Sequence, residues 1–321
     1  MSRYRFAGDV VDSDVTLGLT PGDGPADVTV TTTLTTRLVG PEVADVLHHG
    51  RLDGAPWSLA TRGDGPGWCM VFGHGCVATM SADRSRIELR VHPDGPDEWI
   101  AEVITGWALV YRLAVAGRAT FHASTVTLDG ADAVAIAGPG HSGKSTMAAA
   151  VVALGGSLLG DDVLAAEVDA EVDVGVGGSR VGGSRVGGRG GVVVHSTSSV
   201  LKLRGLAQEL RRRSTSAPTT TFDGRLAVRA DPAPDRARLV ALHFLDPAAP
   251  AGRRPIDPDE AAVLLVANSK VGTWSWDEAS ANEFDAACDL ADRVPAYVVG
   301  RGDGATTVAQ LERIAADLFD V

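Results

Sequence analysis

Residues 138–145 read Gly-Pro-Gly-His-Ser-Gly-Lys-Ser and fit the pattern G-x-x-x-x-G-K-[ST] at every fixed position. The spacing has a chemical reason. Glycines let the backbone curl so that successive N–H groups point inward at phosphate oxygens, the lysine adds a point charge, and the closing hydroxyl binds Mg²⁺. Gly138, Pro139, Gly140, His141, Ser142 and Gly143 would form the cradle. Lys144 would meet the β- and γ-phosphates, and Ser145, followed by Thr146, would open a helix whose dipole favours the same anion. The chain spells lysine only at 144, 202 and 270 and uses arginine for the rest of its 29 basic residues, so Lys144 is there for its chemistry.

Two further groups have types and positions suited to the same reaction. Asp161-Asp162 follows the lysine by 17 residues, directly after the apolar stretch SLLG. In an α/β sheet, ligands gather at the carboxyl ends of strands. If the chain is extended there, the two side chains point in opposite directions. One carboxylate would then serve Mg²⁺, directly or through water, and the other an acceptor hydroxyl. A pair of aspartates after a strand reads equally well as a solvated turn. His122, in FHAST, taken alone reads as a satisfied strand histidine rather than a catalytic one.

The elements that must position these residues have their own signals. Residues 1–96 read as short strands (YRFAG, DVTLGL, DVTVTTTL, PWSLATR, GWCMVFG, GCVATM, RIELRVH) broken by Gly, Asp and Pro clusters, with a short helix at PEVADVLHH. This predicts a β-rich N-terminal domain. A linking helix follows over 97–117; it carries Glu102 and Arg112 within an apolar run of helical spacing, the pattern of a buried amphipathic helix and not of a membrane span. From residue 118 strands alternate with helices, which predicts an α/β domain over 118–321 with a mixed sheet. Within it Asp129-Gly130 marks a hairpin between FHASTVTL and ADAVAIAG. Residues 176–191, a near-perfect five-residue tandem repeat of VGGSR, read as a flexible glycine-rich insertion. Its alternative is a lid carrying Arg180, Arg185 and Arg189.

Taken together, FHASTVTL, AGPGHSGKST and LLGDD resemble the HPr kinase/phosphorylase superfamily, and the later LKL and RVPAYVV resemble bacterial HPr-kinase-like proteins, including the kinases of lasso-peptide biosynthesis. The match is close over residues 118–169 and loose over most of the rest. It implies a P-loop kinase domain of the HPr kinase type and an ATP- and Mg²⁺-dependent transfer to a hydroxyl. It also implies roles: Lys144 on the phosphates, Ser145 on Mg²⁺, Asp162 as the base, and His122 as support, with Asp161 as its partner or as a Mg²⁺ contact. Thr146 stands where the HPr enzymes typically carry a glutamate, and their second metal-binding glutamate stretch has no counterpart here. Both departures weigh against HPr as acceptor. The acceptor expected instead is a serine or threonine of a peptide, or a small natural-product intermediate. The alternative is a nucleotide-binding regulatory module that hydrolyses ATP slowly and has no specific acceptor.

Composition narrows the partners. A net charge of −12 gives no basic face for nucleic acid and no polybasic membrane anchor, and 45% apolar with 22% charged residues is a globular balance. Three cysteines form no disulfide framework and suit a reducing compartment, so the expected location is the cytoplasm. The resembling enzymes admit a homo-oligomer. Cys69, His74 and Cys76 fit no zinc spacing. Glu167, Asp169 and Glu171 read as solvated strand ends, and Arg211–Arg213 as the basic end of a helix. Lys202 and Lys270 remain as candidates for substrate contact.

Overall fold

The computed structural model describes residues 1–38, 43–52, 55–62, 67–73, 75–94, 97–170, 191–203, 219–220, 225–230, 233–271, 278–300 and 307–320. Nine strands make the first sheet: β1 (Ser2–Phe6), β2 (Asp9–Ser13), β3 (Thr20–Pro21), β4 (Val28–Leu34), β5 (Val43–Leu52), β6 (Ala55–Arg62), β7 (Gly67–Phe72), β8 (Cys76–Ser81) and β9 (Arg86–Val91). Their order is β3-β1-β2-β4-β9-β8-β7-β6-β5, antiparallel except at β2–β4 and β4–β9. One face is buried and the other wet. In β9, Ile87, Leu89 and Val91 are buried and alternate with exposed Arg86, Glu88 and Arg90.

That buried face packs on a helical rod of three consecutive segments: α1 (Asp97–Val103), a π turn (Ile104–Ala108) and α2 (Leu109–Val115). Phe6, Leu59, Phe72, Trp99 and Tyr111 meet in this core. The linking segment is therefore the buried helix its apolar spacing implies. Among the described residues no helix is long and apolar enough to cross a membrane.

The second sheet is mixed. Its strands are β10 (Ala119–Phe121), β11 (Ala123–Thr127), β12 (Asp132–Ala137), β13 (Ser157–Gly160), β14 (Leu164–Ala170), β15 (Gly191–His195) and, after three short strands, β19 (Arg236–Asp246), β20 (Gly252–Ile256) and β21 (Ala296–Gly300). The order is β10-β14-β15-β19-β12-β11-β13, with β21 also beside β19 and β20 beyond it. The short strands β16 (Val200–Leu203), β17 (Thr219–Thr220) and β18 (Leu226–Arg229) make a third sheet in the order β16-β18-β17. At the centre, β12 runs parallel to β19, and β19 parallel to β21. Every residue of β12 from Ala133 to Ala137 is buried, because helices cover both faces. On one face lie the helices Pro258–Ala267 and Glu278–Arg293; on the other lie α3 (Lys144–Ala153) and the helix Val308–Asp317.

The Asp129-Gly130 hairpin is present between β11 and β12. Asp129 accepts from the amides of Ala131 and Asp132, both at 2.9 Å, and Gly130 takes φ +81°. Two expectations are corrected. PEVADVLHH is not helical from Val43 on, because β5 pairs antiparallel with β6 from Val43 to Leu52. DVTLGL is not a strand: β2 ends at Ser13, whose hydroxyl accepts from Val15 N at 3.2 Å and turns the chain out of the sheet. Leu17 and Leu19 are instead buried beside the rod. The glycine repeat lies outside the described residues except for Gly191, which opens β15. Arg211–Arg213 and His74 also lie outside them.

Candidate active site

The candidate phosphate loop, residues 138–143, leaves the end of β12 and enters α3 at Lys144. Gly138 (φ +141°) and Gly143 (φ +103°) occupy the left-handed region, as does His141 (φ +64°). At Gly138 a Cβ would lie 2.7 Å from the carbonyl oxygen of Leu245, so close approach to the neighbouring strand requires glycine there. Pro139, Gly140 and His141 are exposed, whereas Ser142 is buried and its hydroxyl has no partner among the described residues. Lys144 folds over the loop and donates to the carbonyls of Gly138 (2.8 Å) and Pro139 (3.1 Å). Burial pushes its pKa down. Thr146 is half-buried in the first turn of α3.

The aspartate pair closes β13. Asp162 has φ +73°, a conformation aspartate tolerates better than most residues. That turn, not an extended strand, sends the two carboxylates to different sites. Asp161 points at the phosphate loop: Oδ1 accepts from Ser145 Oγ at 2.9 Å and from Ser124 Oγ at 2.6 Å, and Oδ2 from the Lys202 amide at 3.2 Å. Burial pushes its pKa up, as does the charge of Asp162, while these three donors pull the other way.

Asp162 faces a cluster of cations. Lys202 Nζ lies 3.8 Å and Arg225 3.9 Å from its Oδ2. Both cations also meet Glu102 of α1, at 3.0 and 3.8 Å. Burial alone would raise the pKa of Asp162, but the charges of Lys270, Lys202, His122 and Arg225 take it down to about 2. His122 occupies the break where the chain leaves β10, paired with β14, and enters β11, paired with β12. Its Nδ1 lies 3.2 Å from the Asp162 carbonyl oxygen. The expected His122–Asp161 contact is not made, because Asp161 is taken by two hydroxyls and an amide. Burial, with the ammonium groups of Lys270 and Lys144, lowers the His122 pKa to about 4, so the imidazole is neutral at pH 7.

Sequence reasoning missed the segment that ties this together. Asn268 Oδ1 accepts from the Gly138 amide at 3.2 Å, its Nδ2 donates to Leu264 O at 2.8 Å, and its carbonyl accepts from His122 N at 2.6 Å. Ser269 Oγ donates to buried Glu283, and Lys270 N donates to Thr120 O at 3.1 Å. One crossing segment thus fixes the phosphate loop, the histidine and the third lysine. The scarcity of lysine was the only sequence signal for it. Ser124, Glu102 and Arg225 carried no signal.

A cavity of about 600 Å³ opens on the far side of Asp162, between the 15–19 segment and the rod. Among the described residues no three His, Cys, Asp or Glu side chains are grouped to hold a metal. Ser145 and Asp161 nevertheless supply hard oxygen donors beside the loop, and Mg²⁺ commonly combines one or two protein oxygens with phosphate and water. The pair fits Mg²⁺, and the curled loop with its lysine and unsatisfied serine fits a triphosphate.

No protein-family model matches the chain, and no curated protein matches it. Among solved structures, the Hpr(Ser) kinase/phosphatase from Coxiella burnetii is similar to it at 13% identity, over 62% of this chain and 88% of that one, with a TM-score of 0.30. At that level of superposition it assigns no role to any residue. The chain itself is a mixed α/β protein with large mixed sheets.

Proposed function

We propose that this protein is a kinase that transfers the γ-phosphoryl group of ATP to a hydroxyl, on a serine or threonine of a peptide or on a small natural-product intermediate. The observation that carries the reading is the division between Asp161, bonded to Ser145 of the phosphate loop, and Asp162, turned away toward the cavity. Lys144 would exchange the carbonyls of Gly138 and Pro139 for phosphate oxygens. Ser145 and Asp161 would hold Mg²⁺, which neutralises charge on the phosphates when bound.

The acceptor oxygen attacks the γ-phosphorus, the bond from that phosphorus to the bridging oxygen of ADP breaks, and the acceptor proton passes to Asp162. A carboxylate with a pKa of about 2 is a weak base. It orients the hydroxyl throughout and takes the proton late, once the new P–O bond has made that proton acidic; a loose transition state asks no more.

The test is to incubate the protein with Mg-ATP and the peptide and small-molecule fractions of its own cell extract, and to follow phosphorylated products by mass spectrometry. Asp162→Asn is expected to lower their formation by about 10²-fold or more and to leave ATP binding within a few-fold. Transfer that survives Asp162→Asn would overturn the assignment of the base. ATP consumption with no product in any fraction would leave a nucleotide-dependent regulatory module as the better reading.

A further inference from the structure

The cavity beyond Asp162 has two kinds of wall. One is apolar: Leu17 and Leu19 from the segment that leaves β2, and Ile100 and Trp107 from the rod. Among the described residues, the other carries charge in equal numbers, with Lys202, Arg229 and Lys270 against Glu102, Asp161 and Asp162. Lys270 lies in the field of Asp162, Glu102 and Asp161, and the other groups have near partners. Lys202 lies between Glu102 and Asp162, Asp161 has its three donors, and Arg229 donates to Ser199 Oγ at 3.2 Å. No residue of the phosphate loop lines the cavity; Asp161 and Asp162 form the partition between the two spaces. The π turn presents Thr105, Gly106 and Trp107 in succession to the space. Such turns inside helices recur at functional sites. A volume of about 600 Å³ is that of a small-molecule pocket.

We infer that this cavity is a ligand site, the acceptor's seat, and that it takes a small hydroxyl compound with an apolar body and no net charge. As the acceptor's seat it rests on the kinase reading; as a ligand site it stands on the cavity itself. A charged ligand would compete with the pairs that Lys202 makes to Glu102 and Asp162, whereas an apolar body displaces only water from Leu17, Leu19, Ile100 and Trp107. Its hydroxyl would meet Asp162 at the partition, and Lys270 would face the group being transferred.

Calorimetric titration of the intact protein with 1-butanol through 1-octanol, and with octanoate and octylammonium, tests the ligand class without any turnover. Affinity is expected to rise about four-fold per methylene along the whole series. Octanoate and octylammonium should bind at least ten-fold more weakly than 1-octanol. A flat alcohol series, or a charged probe binding as tightly as 1-octanol, would overturn the proposal. Thr105→Phe, which projects a ring into the cavity beside Trp107, should weaken 1-octanol binding about five-fold or more; an unchanged affinity would also overturn it. Should Thr105→Phe fail to fold, Trp107→Phe decides: it removes part of the apolar wall and should weaken 1-octanol binding about three-fold or more, and an unchanged affinity would overturn the site. The two readings fail separately. Alcohol binding as expected, with no phosphorylated product in any extract fraction, removes the kinase reading and leaves the ligand site. Phosphorylation undiminished by a folded Thr105→Phe removes the acceptor's seat and leaves the kinase.

Discussion

At the scale of single residues, Asp161 is a buried carboxylate that accepts three hydrogen bonds. A buried carboxylate is tolerated only when donors surround it, and here Ser124, Ser145 and an amide do so. Ser124 is fully buried and contributes nothing else to the site. Ser124→Ala should therefore cost about 1–3 kcal/mol, measured by urea unfolding at pH 7, as expected for a hydrogen bond to a charged acceptor. The loop, the lysine and the aspartate pair were legible in the sequence because they are local, and their spacing is set by one strand-loop-helix unit. Ser124, Glu102, Arg225 and Asn268 were not, because they reach the site from 20 to over 100 residues away and only the sheet order brings them there. Asp162 was legible as a residue but not as a conformation; the divergence expected from an extended strand comes instead from a left-handed turn.

At the scale of elements, the central strands carry a pH dependence. His243 of β19 is fully buried; Nε2 donates to the Leu318 carbonyl oxygen at 2.9 Å, and Nδ1 has no partner among the described residues. Burial lowers its pKa to about 4, with the charge of Arg253 acting in the same direction. Between pH 4 and 6.5 the unfolded chain binds a proton that the folded chain does not, so stability falls as pH drops through that window. The loss by pH 4 is about 3 kcal/mol for this one residue. His122 acts in the same sense. The melting temperature should fall on acidification from pH 6.5 to 4, and His243→Phe should flatten part of that slope. Strand β20 shows what propensity misses: Pro255 argues against a strand, yet β20 lies at the sheet edge against β21, where proline is tolerated. PEVADVLHH shows the converse, a helix-like composition held extended from Val43 on by its partner β6.

At the scale of the whole molecule, the rod of residues 97–115 joins the first sheet to the site. Near one end Glu102 meets Lys202 and Arg225; near the other Arg112 pairs with Asp9 of β2 and donates to Arg84 O at 2.8 Å. Arg118 adds a second contact to Asp9 at 3.2 Å and donates to Ala7 O at 2.7 Å. Asp9→Ala leaves the largely buried guanidinium of Arg112 without its carboxylate and should cost about 3 kcal/mol in denaturant unfolding. The alternation of strands and helices made the α/β class readable. The nine-strand first sheet was readable only as many short strands, since its order, with β4 between β2 and β9, is set by pairings distant in sequence.

The economy of lysine has a practical consequence. All three lysines surround Asp162: Lys144 from the loop, Lys202 at 3.8 Å, and Lys270 through its field. Every ε-amino group in this protein is therefore a reporter on one small region. Reductive methylation with ¹³C-formaldehyde should give three lysine dimethylamine signals plus that of the α-amino group. Adding Mg-ATP should move the Lys144 signal, and adding 1-octanol those of Lys202 and Lys270. An otherwise silent surface turns the three lysine lines into a separate readout of the two spaces on either side of the aspartate partition.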